Sequence, residues 1–203
     1  MRDNKRFHLL LFVTLLGILT WSVINPKDLF TWFLEVLPAL IGILILLYLY
    51  PKYKLSDLAY ILILIHATIL IIGGHYTYAE MPVFNWIRDT FHLSRNYYDR
   101  LGHFAQGFIP AIITREILIR NEVLNKKKYM PFLVVSICLS ISATYELFEF
   151  SIAKLTGDSA EAFLGTQGDI WDTQWDMLMA LIGSITSLCL LSNYHDKELL
   201  KMN

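Results

Sequence analysis

Cysteine is nearly missing from this chain: only Cys138 and Cys189 are present, and both sit inside apolar runs. A thiol in such a setting behaves as a small hydrophobe, so neither a disulfide framework nor a zinc site is expected. No stretch of the ~100 or more residues that a separate soluble domain needs is left between the apolar runs. Internal repeats and low-complexity linkers are absent as well. The chain also lacks a Walker loop, a Gly-x-Ser-x-Gly elbow and a His-Glu-x-x-His pair, which removes the familiar nucleotide, hydrolase and zinc-protease chemistries. The Lys126-Lys127-Lys128 cluster is accounted for by membrane topology, and nothing else resembles a nucleic-acid patch.

What is abundant is hydrophobicity. Of the 203 residues, 55% are hydrophobic, the mean hydropathy is +0.47, and runs of transmembrane length recur. An integral membrane protein follows from this composition. The spacing predicts an all-α, polytopic membrane helix bundle forming one domain over residues 1–203. Its spans fall at 7–24, 29–50, 56–73, 99–120, 130–152 and 171–191, with an interfacial polar loop at 74–98. The first run resembles a signal peptide, but Asn25-Pro26-Lys27-Asp28 offers no small-residue cleavage site and a second span begins at once, so it is read as a retained helix.

Basic residues orient the bundle. Arg2, Lys5, Arg6, Lys52, Lys54, Arg120, Lys126, Lys127, Lys128, Lys197 and Lys201 fall at one set of ends, against Lys27, Arg88, Arg95, Arg100 and Lys154 at the other. The positive-inside rule then places both termini in the cytoplasm.

Within that topology the polar groups are not scattered. His75, Tyr76 and Glu80 follow span three, and Asp99, Arg100 and His103 open span four. Glu146 and Glu149 close span five, and Asp169, Asp172 and Asp176 open span six, all on the extracytoplasmic side. An ionisable group inside a bilayer costs on the order of 3 kcal/mol on insertion scales and must face protein or water. Asp169, Asp172 and Asp176 recur at i, i+3 and i+7, so on a helix they form one stripe. Asp99, His103 and Gln106 likewise share a face. A carboxylate beside a histidine fixes its tautomer and suits it to act as base, proton carrier or metal ligand, although a structural pair has the same appearance.

These patterns lead to a defined set of candidates. His103, Asp99, Glu146, Glu149 and Asp172 are the candidate catalytic groups. Arg100, His75, Tyr76, Glu80, Gln106, Gln167 and Gln174 are the candidate substrate-binding groups. Asp169, Asp172, Asp176 and Glu149 could hold a divalent cation, and carboxylates with one imidazole suit Mg²⁺, Ca²⁺ or Mn²⁺ better than zinc. A pure ion-pair lattice is the competing account. Thr114-Arg115-Glu116 near the far end of span four reads as self-pairing or snorkelling, and His8, His92 and His195 as interfacial.

The strings Gly73-Gly74-His75-Tyr76-Thr77-Tyr78-Ala79-Glu80, Asn96-Tyr97-Tyr98-Asp99-Arg100-Leu101-Gly102-His103-Phe104, Tyr145-Glu146-Leu147-Phe148-Glu149 and Phe163 to Met177 resemble the YjdF-type inner-membrane proteins. The resemblance implies a multi-pass protein of the bacterial cytoplasmic membrane with no established reaction. A looser likeness, to the VanZ-like membrane proteins, rests on Asp99, His103 and Phe104, then Glu146 and Glu149, then Asp169, Asp172, Asp176 and Gly183, with Arg100 where that group has Lys. It implies a shared helical core facing the cell envelope. Three functions stay open: a site that binds or acts on an envelope lipid or lipid-linked headgroup, a transporter or proton-coupled carrier using Glu35 and Arg115, and a non-catalytic assembly protein. The lipid bilayer is the one certain partner.

Overall fold

Six long helices run back and forth beside one another in the computed structural model, which describes residues 4–157 and 161–202. They are α1 (Lys5–Ser22), α2 (Leu29–Leu49), α3 (Asp57–Tyr76), α5 (Tyr98–Arg120), α6 (Met130–Thr156) and α8 (Asp172–Met202), with the short α4 (Pro82–Phe91) and α7 (Glu161–Leu164) between them. No strand occurs among the described residues. The all-helical bundle expected from the apolar runs is therefore present. Arg2, one of the basic residues used for orientation, lies outside the described residues.

Five of the six helices, all but α5, are long and apolar enough to cross a membrane. Charge, not length, sets α5 apart: its 23 residues include Asp99, Arg100, Arg115, Glu116 and Arg120. The expectation of six spans thus rests on α5, whose charges must be covered by its neighbours. They are, because α3, α6 and α8 all pack along it, and Asp99, Arg100, Arg115 and Glu116 are buried. Helices α5 and α8 run parallel, since Arg100 meets Asp172, Gly107 meets Ala180 and Arg115 meets His195 in the same order. The chain places α6 between them in sequence, as an alternating path requires.

Local sequence explains several boundaries. Asp28 caps α2 by accepting a 2.7 Å hydrogen bond from the Thr31 N–H, and the Ser56 hydroxyl caps α3 by accepting from Ala59 N–H at 3.2 Å. The Thr31 backbone bond holds the Asp28 carboxyl below its usual value. A depressed carboxylate contributes above its unfolded pKa and loses that contribution as pH falls through the folded value, so this cap fades only in strong acid. Asp28→Ala is expected to lower stability by about 1 kcal/mol, with Asp28→Asn nearly neutral, as read by thermal unfolding in detergent. Pro82 opens α4, whose Val83, Trp86 and Phe91 are exposed, as an interfacial helix requires.

The last helix departs from expectation. A span ending at 191 with a polar tail was predicted, yet α8 continues to Met202. The tail has tertiary work that its composition hides: His195 is fully buried, Leu199 is buried, and Asp196 pairs with Arg115. Three apolar clusters hold the bundle. Leu15, Val36, Ala39, Ala67 and Ile71 join α1, α2 and α3. Leu62, Ala105, Ile109 and Ile112 join α3 to α5, and Ala111, Met130, Val134 and Cys138 join α5 to α6.

Candidate functional site

Charged residues at the starts of α5 and α8 build a dense buried cluster. Arg100, on the first turn of α5, donates to Asp172 Oδ1 at 2.5 Å and also to Asp176, while Asp169 lies 3.4 Å away. Arg95, just before the helix, donates to the same Asp172 oxygen at 2.5 Å and to the Gly165 carbonyl at 3.1 Å. Asp99 sits between the two guanidiniums, 3.7 Å from Arg95 and 3.5 Å from Arg100. Arg95, Asp99, Arg100, Asp172 and Asp176 are all buried.

His103 lies one turn below Asp99. Its Nε2 is 3.5 Å from Asp99 and 3.7 Å from Asp176; its Nδ1 donates to Gln106 Oε1 at 3.2 Å and is 3.7 Å from Glu146. Glu149 follows Glu146 by three residues on α6, at the same end of the bundle. Ligand atoms of Asp99, His103 and Asp176 lie within 4.8 Å of one another, a spacing that a single hard cation could bridge. This is not the metal set the sequence suggested. Asp169 Oδ2 and Asp172 Oδ1 each face both Arg95 and Arg100, and of the four predicted ligands only Asp176 belongs to the close group.

Two further corrections concern geometry. Asp169 precedes α8 and accepts from the Trp171 N–H at 2.9 Å, so the three aspartates do not share one helical stripe. They converge on Arg100 all the same, because the turn folds Asp169 back. Of the predicted substrate-binding groups, Arg100 is occupied by carboxylates, and Gln106 reaches His103. Gln167 instead braces a loop, its Oε1 accepting from Asn96 N–H and its amide donating to the Asn96 carbonyl, both at 2.9 Å. His75, Tyr76 and Glu80 face α1 and the α1–α2 connection: His75 donates to the Ser22 carbonyl and its ring lies 4.4 Å from Trp21, Tyr76 packs on the same tryptophan, and Glu80 pairs with Lys27. Gln174 is exposed. An aromatic and polar loop can point either way, and composition does not choose the face.

Some participants were not singled out from sequence. Arg95 was legible as a basic residue four positions before Asp99. Tyr78 was not: the hinge at Thr77, with a positive φ of 58°, turns its ring over Gly73 and Gly102. Glu35, predicted to help carry a polar route inward, lies instead at the His103 end, where its Oε1 accepts weakly from Tyr78 N–H at 3.5 Å. His66, Tyr78, Gly102, His103, Gln106 and Tyr145 line a cavity of about 930 Å³ among α2, α3, α5 and α6.

A second polar node occupies the opposite end of α5. Glu116 accepts from Ser56 N–H and hydroxyl at 2.9 and 2.6 Å and from Arg120 at 2.8 Å. Arg115 donates to His195 Nδ1 at 3.0 Å; because a guanidinium can only donate, Nε2 of His195 carries the hydrogen that points to Glu116 at 3.2 Å. Thr114-Arg115-Glu116 is therefore neither self-paired nor snorkelling, and His195 is not interfacial. The buried apolar cluster of Leu62, Ala105, Ile109 and Ile112 lies between the two nodes.

Residues 7–197 match the family model described as "Predicted membrane protein (DUF2238)". The chain is 46% identical over 187 residues, 92% of its length and 90% of the relative's, to "Inner membrane protein YjdF" of Escherichia coli strain K12. No solved structure matches. With a helical bundle, five helices fit to cross a bilayer and this relative, the chain belongs to the DUF2238 family of multi-pass bacterial inner-membrane proteins.

Proposed function

We propose that the His103 cluster binds, and acts on, the polar headgroup of an envelope lipid or lipid-linked intermediate at the extracytoplasmic face. One observation carries this reading. His103 is at once buried among carboxylates and part of the wall of a cavity large enough for a ligand of drug or lipid size. The basic-residue asymmetry, with the cluster at the end poor in Lys and Arg, supports the outward placement. The VanZ-like order of Asp99, His103, Glu146 and the aspartates points the same way without naming a substrate.

In this reading Asp99 and Asp176 hold the imidazole through Nε2, and Nδ1, on the side of Gln106, is the atom that exchanges a proton with the headgroup. Arg95 and Arg100 serve as the clasp that keeps the acids together rather than as anion receptors. If a divalent cation is used, Asp99, His103 and Asp176 are the residues that would hold it, supplying the charge that polarises a bound oxygen. A carrier would need a polar route to the Glu116 node, and an apolar layer separates the two.

The test compares purified wild-type protein with His103→Asn after exposure to a polar lipid extract of bacterial inner membrane, using native mass spectrometry. A lipid retained by the wild type and lost at least tenfold by the variant, with the thermal midpoint within a few degrees, is the expected result. Equal retention, or unfolding of His103→Asn as severe as that of a clasp variant, would leave only a structural lattice.

A further inference from the structure

The cavity beside His103 has a shape and chemistry that narrow the ligand. Its walls are apolar over most of their depth, with Ile41 and Ile45 on α2 facing Ile137 and Ile141 on α6. Those four side chains are between 36% and 51% exposed, and α2 and α6 are not among the helix pairs in sustained contact. The open side of the cavity is therefore the seam between α2 and α6, which in a bilayer faces lipid tails. From His103 to Ile113 the cavity follows α5 for roughly 15 Å at 1.5 Å per residue, about half the hydrocarbon thickness. Pro38 on α2 and Pro110 on α5 both line the cavity, each removing one intrahelical hydrogen bond.

The aliphatic hydroxyls along the α6 wall are already spent: Ser140 donates to the Ser136 carbonyl at 2.9 Å and Thr144 to the Ser140 carbonyl at 2.7 Å. Two other lining residues each keep a buried polar atom without a partner. Tyr78 is more than nine-tenths buried, and its hydroxyl has no hydrogen-bond partner among the described residues; neither has His66 Nε2. An unpaired buried donor costs free energy unless something meets it. The two side chains that carry these atoms line the cavity, as do His103 and Gln106, with the atoms themselves set behind its surface.

Charge defines what can meet them. Five acidic side chains, Asp99, Glu146, Asp169, Asp172 and Asp176, gather at this end, and both guanidiniums are engaged by the aspartates. An anionic head would find no free cation there among the described residues, and a cationic head would find no carboxylate on the cavity wall itself.

Resting on the lipid reading above, we infer that the cavity is a slot for the single chain of a membrane lipid with a small uncharged headgroup. The lipid enters sideways between α2 and α6, and its head accepts hydrogen bonds from Tyr78 and its polar neighbours beside His103.

Gly42 supplies the test. It lines the slot, and a Cβ added there meets nothing within 4 Å, so Gly42→Trp can fold while its indole fills the space. Purified wild-type, Gly42→Trp and His103→Asn proteins in detergent micelles are titrated with three doxyl-labelled probes: a fatty acid methyl ester, the free fatty acid, and a two-chain phosphatidylcholine. Electron paramagnetic resonance reads the immobilised fraction. The ester is expected to bind about one per protein and roughly tenfold more weakly to Gly42→Trp, with the thermal midpoint unchanged. Equal immobilisation of ester and phosphatidylcholine, insensitive to Gly42→Trp, means annular lipid only and overturns the slot. Stronger binding of the free acid than of the ester overturns the uncharged head. Ester binding lost in His103→Asn but kept in Gly42→Trp also overturns the slot, while leaving the headgroup site of the proposed function standing.

Discussion

Arg100→Ala is expected to abolish accumulation of folded protein, while His103→Asn accumulates normally. Arg100 joins α5 to both Asp172 and Asp176 on α8, and its removal leaves two buried carboxylates short of their counter-charge. Breaking a buried pair from one side typically costs about 3–5 kcal/mol, a large fraction of the net stability of most folds. Arg95 cannot take over, because it is already committed to Asp172 and the Gly165 and Thr166 carbonyls. Arg100→Lys should recover only part of the loss, since a single ammonium cannot repeat the forked contact with two aspartates. Membrane yield and fluorescence-detected size exclusion with a thermal ramp measure both effects. Wild-type yield of Arg100→Ala would show that the cluster does not hold α5 to α8.

The second large effect is steric. Gly107→Leu and Gly183→Leu are each expected to prevent α5 and α8 from closing, giving aggregated or polydisperse protein. A Cβ built on Gly107 would fall onto the Ala180 carbonyl of α8, and one on Gly183 onto the Phe104 carbonyl of α5. The two glycines thus let the backbones touch from both sides, as small residues do where membrane helices pack closely. The obstacles are main-chain atoms, which cannot rotate away, so the usual overpacking cost of about 1–3 kcal/mol is a lower bound. Gly17→Leu is the control: nothing lies within 4 Å of its added Cβ, and its yield should match wild type. Monodisperse Gly107→Leu with an unchanged midpoint would refute the close approach.

These two contacts also show where reading the chain succeeded and where it stopped. That acids and a histidine from separate segments meet at one end was legible, because each lies at the same end of an apolar run. Their partners were not. Asp169, Asp172 and Asp176 looked like cation ligands by spacing alone, yet the cation facing them is a pair of arginines brought in from α5 and the turn before it. The facing of the 74–98 segment was equally hidden: His75 and Tyr76 turn to α1 while Tyr78, two residues on, turns over α3 and α5. A backbone hinge at Thr77 decides that, and hydropathy carries no record of it.

Apolar run length, the residues that interrupt it and the sign of the flanking charges determined that this is a helical membrane protein, how many long helices it has within a residue or a few at most ends, and at which end its acids gather. Burying about 20 residues per helix in hydrocarbon is a local requirement, so it is written locally. Which acid meets which arginine, that α8 extends to carry His195 under Glu116, and that a cavity opens between α2 and α6 were decided only by tertiary packing. Those outcomes depend on helix rotation and on contacts between residues up to about 80 positions apart, and periodicity within one segment cannot encode its angle to another.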